Sequence, residues 1–191
     1  MKTRIVFRPR LINIGPSPSW KINAMRVAKL LQPDFLMSPF AKFLFPENIR
    51  LDVAAFDKTQ AFAQVAAVFE REHRIGYSQV YEGLRAREQL DSTGLGCGVA
   101  LPHAQISGLR APMMAFVRLR MPIGFDAPDG LPVSDLLVLL VPGKGSQEYL
   151  QLLAEIAGVL CDASFREQLC TAHDPYAVWQ LFVRWRRSHA H

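Results

Sequence analysis

The chain has 191 residues, half of them hydrophobic and 20% charged, a length and composition that suit one well-buried core and exclude wholesale disorder. No stretch reaches the ~18 consecutive apolar residues of a membrane-crossing helix, so no integral membrane segment is expected. The formal net charge is +5, but residues 1–50 hold nine Lys/Arg against two Asp/Glu, while residues 51–191 hold thirteen against fifteen. The excess basicity therefore belongs to the first fifty residues, apart from a local cluster of Arg184, Arg186 and Arg187. A domain-wide footprint for nucleic acid is absent, and no nucleic-acid partner is expected. Three cysteines, Cys97, Cys161 and Cys170, make an odd number with no C-x-x-C pair. That pattern points to reduced thiols in a cytoplasmic protein and away from a disulfide scaffold or a zinc ribbon.

Residues 1–37 read as a flexible N-terminal extension. They carry Pro9, Pro16, Pro18 and Pro33, scattered basic residues and no sustained period, and no secretory cleavage pattern is evident. A short basic amphipathic helix over 20–31 is the one element expected there. Ordered structure is expected from residue 38, with one domain over 38–187 and a tail over 188–191.

Asp57, with Gln60 three residues later, has the spacing of a helix cap. Phe62, Val65, Ala66 and Phe69 then repeat as one helix face, and Gly76 ends or follows that helix. Ser78 opens a second helix with Val80, Tyr81 and Leu84 on one side, Arg85, Arg87 and Glu88 along it, and an end near Asp91. A glycine-rich loop, Ser92-Thr93-Gly94-Leu95-Gly96-Cys97-Gly98, leads to a short strand over Val99–Leu101 that ends at Pro102-His103.

Alternation from Met113 to Arg120 predicts a strand, and Ile123–Phe125 a further short one. Asp129-Gly130 marks a turn. Leu136–Val141 is apolar at every position, as in a central strand covered on both faces. Ser146 caps a long helix with Tyr149, Leu152, Leu153, Ile156 and Leu160 on its apolar side. A short helix around Ser164–Cys170 follows, and Asp174-Pro175 starts a last helix carrying Val178, Leu181, Phe182 and Trp185. The fold class expected is α/β: a single three-layer sandwich with a mixed sheet of short strands flanked by helices.

Of five histidines, His189 and His191 lie in the tail, His173 precedes a cap and His73 sits at a polar helix end; each reads as a solvated surface residue. His103 differs, following a proline at a strand end just after the glycine loop, where a rigid scaffold presents chemistry. An ordinary strand-end histidine bonded to backbone is the alternative. A neutral imidazole attacks a phosphoryl group directly near neutral pH. It requires donors or positive charge for the phosphoryl oxygens. Ser92 and Thr93 offer hydroxyls, Gly94, Gly96 and Gly98 offer N–H groups, and Arg87 offers two parallel bonds. Arg85 and Arg87 equally suit a solvated helix face, and a Gly-x-Gly-x-Gly run is not specific by itself. No Gly-Lys-Ser/Thr phosphate loop exists, no cofactor is called for, and no residue set is assigned to a metal.

The run Leu84–Ala104 resembles the signature of phosphotransferase-system enzyme IIA domains of the mannitol/fructose class, and looks most like the nitrogen-regulatory enzyme IIA branch. The resemblance extends from about residue 45 to about 183 and includes Pro122–Gly130 and Leu139-Leu140-Val141-Pro142. It implies a phosphoacceptor at His103, through Nε2, and an arginine beside it at Arg87. Ser92, Thr93 and Gly94 match the family's Ser-Thr-Gly turn. It also implies a phosphohistidine donor on an HPr-like phosphocarrier protein. The function implied is a regulatory protein of the nitrogen phosphotransferase system that acts by phosphorylation-dependent binding to other proteins, whose identity the motif does not name. Catalysis in the strict sense stays open, since such a component is a phosphohistidine intermediate. The alternatives are a phosphocarrier to a sugar-permease IIB domain and a binding module with reduced phosphotransfer. Tyr149 prompts the last, because relatives often have a second histidine there, and a tyrosine donates a hydrogen bond but cannot become cationic. Ala104-Gln105 also departs from the glycine and basic residue frequent in relatives.

Overall fold

The computed structural model describes residues 38–143 and 147–185. The expected extension with its helix over 20–31, the Ser146 cap and the tail fall outside the described residues. A single 3-10 turn, Ala41–Phe43, leads into β1 (Leu44–Val53), α1 (Lys58–His73) and α2 (Tyr77–Glu88). Three short strands follow, β2 (Gly94–Gly96), β3 (Val99–Ala100) and β4 (His103–Ile106). The long strands β5 (Met113–Ile123) and β6 (Val133–Pro142) precede α3 (Gln147–Cys161), α4 (Ala163–Thr171) and α5 (Pro175–Arg184).

One mixed sheet of six strands has the order β1-β5-β6-β3-β2, with β4 also pairing on β6. The apolar run in β6 is explained by its place. It pairs antiparallel with β5 on one side and parallel with β3 and β4 on the other, and Leu136–Val141 are all buried. Alternation divides its side chains between two cores. Leu136, Val138 and Leu140 join Ala115 and Val117 of β5 under Phe62, Val65, Phe69, Val80 and Leu84 of α1 and α2. Across the sheet, Phe182 of α5 lies 5.8 Å from Phe116 of β5 and 5.0 Å from Phe165 of α4. Helices on both faces make the expected three-layer α/β sandwich.

Helix starts follow the local chemistry. Asp57, Asp162 and Asp174 each accept from the backbone N–H three residues on, at 2.7, 3.0 and 2.9 Å. Gln60 completes the first of these by accepting from Phe56 N at 3.1 Å. Arg74, in the left-handed region at φ 57°, closes α1, and Gly76 follows it as expected. The start of α2 departs from expectation: Gly76 is its N-cap and Tyr77 its first residue, where Ser78 was expected to open it.

Three strand expectations change. No strand was expected before residue 57, yet β1 lies parallel to β5 at the sheet edge. Its sequence hides it: Pro46 suits only an edge, Asn48 and Ile49 are buried side by side, and the register shifts twice. Ile123–Phe125 is not a separate strand. β5 continues through an irregularity to pair Ile123 with Val133, and Phe125 is a buried loop residue 6.2 Å from Phe62. Lastly, His103 begins a strand where a strand end was expected. Val99 stands opposite Asp135 and His103 opposite Leu139, so the register is unbroken across Leu101-Pro102. Pro102 has no N–H, but its carbonyl still accepts from Leu139 N at 2.9 Å.

Candidate functional site

His103 is half-buried, and both ring nitrogens have partners. Arg87 Nε lies 2.9 Å from Nε2, and the Leu101 carbonyl lies 3.0 Å from Nδ1. A guanidinium N–H only donates. Nε2 therefore carries the lone pair, and Nδ1 carries the proton and donates it to Leu101 O. This neutral tautomer leaves Nε2 as the nucleophilic atom. Burial pushes the imidazole below its ordinary pKa of 6.5, the Leu101 carbonyl works the other way, Arg87 adds to the lowering and Glu88 opposes it. The net effect keeps the ring neutral at pH 7.

Arg87 comes from the last turn of α2, and its Nη1 donates to the Asp91 carbonyl at 2.9 Å. The guanidinium is thereby fixed at both ends. Tyr149, in the first turn of α3, brings its ring edge-on to His103 with centroids 6.3 Å apart. Burial raises its pKa and Arg87 lowers it in part, leaving the phenol protonated. Tyr149 also lines a surface groove of about 390 Å³ together with Phe43, Arg110, Glu148 and Leu152.

Ser92, Thr93 and Gly94 support this corner. Ser92 Oγ donates to Phe125 O at 2.6 Å and accepts from Gly94 N at 3.1 Å. Thr93 donates through both N and Oγ1 to Glu88 Oε2. Gly94 is required by space: a Cβ there would stand 2.9 Å from that of Ala127. All three are thus committed to holding the loop.

The remaining glycines do not form a phosphate cradle at His103. Gly96 and Gly98, at φ 88° and 77°, make the turn between β2 and β3. The Gly98 carbonyl accepts from Ser134 and Asp135, four residues along β6 from Leu139 and so roughly 13 Å from the level of His103. The N–H of Cys97 in that turn is taken by Asp129 Oδ2 at 2.6 Å. Arg85 stays on the exposed face of α2, 3.8 Å from Glu82.

Sequence reasoning passed over Glu88, Lys58 and Asp126. Glu88 is nearly buried and also accepts from Lys58 Nζ at 2.7 Å, so it ties α1, α2 and the loop together. Lys58 reaches Asp126 at 2.8 Å and sits 4.7 Å over the Phe125 ring. Burial tends to lower its pKa, but the bonds to Asp126 and Glu88 prevail and raise it. Glu88 lay inside the recognised run; Lys58, thirty residues away, left no local signal. His73 is also not a plain surface histidine. Its Nε2 lies 2.7 Å from Oδ1 of the fully buried Asn48, whose Nδ2 donates to Met114 O at 3.0 Å.

Among the described residues, no helix is long and apolar enough to cross a membrane. Residues 42–185 match the family described as the phosphoenolpyruvate-dependent sugar phosphotransferase system, EIIA 2. A nitrogen regulatory protein of Pseudomonas aeruginosa is 38% identical over 143 residues, spanning 74% of this chain and 93% of its own length. The crystal structure of nitrogen regulatory protein IIA-Ntr from Neisseria meningitidis is 40% identical with a TM-score of 0.72, covering 76% of this chain and all of that one. IIA mannitol from Escherichia coli, 20% identical at a TM-score of 0.61 over 73% of this chain and 99% of its own, shares the fold.

Proposed function

Because the chain belongs to the phosphotransferase-system EIIA 2 family, we propose that it accepts a phosphoryl group on His103 Nε2 from an HPr-like phosphocarrier and works as a regulatory protein. The observation that carries this reading is the pair of hydrogen bonds that leaves the Nε2 lone pair facing Arg87 while Leu101 O holds the Nδ1 proton. In the transfer, the phosphorus–nitrogen bond to the carrier's histidine breaks as a new one forms to Nε2, and the carrier's imidazole takes back its electron pair. His103 gains positive charge as it attacks, and the Leu101 carbonyl stabilises it through the Nδ1 proton. Arg87 leaves Nε2 and turns its guanidinium to the phosphoryl oxygens, a charge-assisted contact that strengthens as negative charge builds on them. The Tyr149 ring lies edge-on to His103, and its hydroxyl supplies a second donor to the phosphoryl oxygens.

The relatives named as nitrogen regulatory proteins support regulation over sugar transfer as the output. Phosphorylation adds close to two negative charges at this half-buried corner, enough to change which protein surface docks there. The test is transfer of labelled phosphoryl from phosphoenolpyruvate through the first two carrier proteins to this chain. Wild type takes up label and His103→Ala takes up none. Equal labelling of both would refute the assignment, and loss of label in Arg87→Ala would place the guanidinium in the reaction.

A further inference from the structure

Helix α2 meets strand β4 at three levels. Gln79 Nε2 donates to the Ser107 carbonyl, one residue past the strand, at 2.9 Å. At Gly83 an added Cβ would stand 3.2 Å from the Cβ of Ala104 and 3.4 Å from Ile106 Cδ1. At Arg87 the guanidinium reaches His103 Nε2 at 2.9 Å. The helix positions are four residues apart and share a face. Eight helical residues rise about 12 Å and four strand residues about 13 Å, so helix and strand run antiparallel in step. Gly83 is the midpoint.

Glycine is a poor residue for a helix interior, because it gives up the most backbone freedom and has no side chain to pack. Gly83 is the seventh of twelve residues in α2, and its φ lies outside the positive region that requires glycine. Clearance over β4 accounts for it. β4 has little room to yield, being paired along its length to Leu139–Pro142 of buried β6. A side chain at 83 therefore moves the helix.

We propose that Gly83 is a positioning residue, whose missing Cβ lets α2 lie close enough to β4 for Arg87 to reach His103 Nε2. The proposal deepens the phosphoacceptor reading and rests on it for its functional consequence. Its geometry is separate. A shift of a few tenths of an ångström stretches the 2.9 Å contact to about the long end of the range of an N–H donor and weakens it.

The test uses Gly83→Ala, Gly83→Val and the double variant Gly83→Ala/Ala104→Gly in the full chain. Imidazole titration of His103 by NMR and the rate of phosphoryl uptake from the phosphorylated carrier are read together. Among the described residues, the charged and titratable groups near His103 are Arg87 and Glu88 from α2 and Tyr149 from α3, and of these Arg87 and Glu88 lie on the helix that carries Gly83. Withdrawal of the guanidinium raises the titration midpoint, so the expected order is wild type lowest, Gly83→Ala higher and Gly83→Val highest. Uptake falls in the same order, by tenfold or more for Gly83→Val. Ala104→Gly removes the atom that the new Cβ strikes and returns both readouts toward wild type. If the valine variant does not fold, the alanine variant and its rescue carry the test. An unchanged midpoint in Gly83→Ala, or no rescue by Ala104→Gly, overturns the proposal. If wild type takes up no phosphoryl group while the midpoints follow the expected order, the functional reading falls and the positioning role stands.

Discussion

Glu88→Gln isolates what holds the site corner together. The Glu88 side chain is only 7% exposed, and its two oxygens serve three donors: Lys58 Nζ on one, Thr93 N and Oγ1 on the other. Glutamine keeps the shape but has a single acceptor oxygen. If that oxygen serves Thr93, the amide NH2 faces the Lys58 ammonium, donor against donor. The loss is thus one charge-assisted hydrogen bond plus a partly buried lysine deprived of one of two anions. A bond of this kind contributes roughly 1.5–3 kcal/mol. Asp126 still holds Lys58 at 2.8 Å, which keeps the cost below the roughly 3–5 kcal/mol of a lone buried charge. The expected loss is about 2 kcal/mol. Urea titrations at pH 7 measure it directly, and a domain of this size should lose roughly 4–8 °C in Tm. Lys58→Met in the Glu88→Gln background removes the opposed donor and should restore about half. A change below about 0.5 kcal/mol in the single variant, or no recovery in the double, would refute the reasoning.

Three further outcomes follow from the same geometry. The folded pKa of His103 is depressed below 6.5 by burial and Arg87, so the unfolded state binds the proton first as pH falls. The associated stability is complete above the unfolded value and is lost as pH drops toward the folded one. His103→Gln should therefore show a shallower acid-side fall in stability than wild type, measured by melts between pH 5 and 7. Tyr149→Phe removes the hydroxyl of the α3 ring that lies edge-on to His103 and should slow phosphoryl uptake by a few fold, while Tyr149→His, able to carry charge, should speed it; stopped-flow transfer distinguishes the three. Phe182→Ala empties a site surrounded by Phe40, Phe116 and Phe165 and should cost about 3–5 kcal/mol in chemical denaturation.

The sheet's middle and its helices were legible because their residues obey one period. Leu136–Val141 reads as a doubly covered strand, and Asp57 and Asp174 cap their helices from adjacent sequence. β1 was not legible: Pro46, the paired burial of Asn48 and Ile49 and the reversal at Asp52, φ 58°, erase any alternation. At the site, His103, Arg87 and Tyr149 were each identifiable, and the fold brings them together although Tyr149 is forty-six residues away. What sequence could not supply was the division of labour among the glycines. Gly94 lies at the site for lack of space, Gly83 belongs to the α2–β4 contact, and Gly96 and Gly98 serve a turn a strand's length away. These are facts of tertiary contact, which spacing does not encode. The Glu88–Lys58 bond is equally non-local, and so was missed.

The central claim is that a phosphoryl group resides on Nε2 of His103. It is tested most directly by phosphorylating the intact protein through its carrier, mapping the modified residue by mass spectrometry and assigning the ring atom by 15N–31P coupling. The account predicts one phosphoryl group, on His103, attached at Nε2 with the proton retained on Nδ1. A phosphoryl group on any other residue, or on Nδ1 of His103, would contradict it.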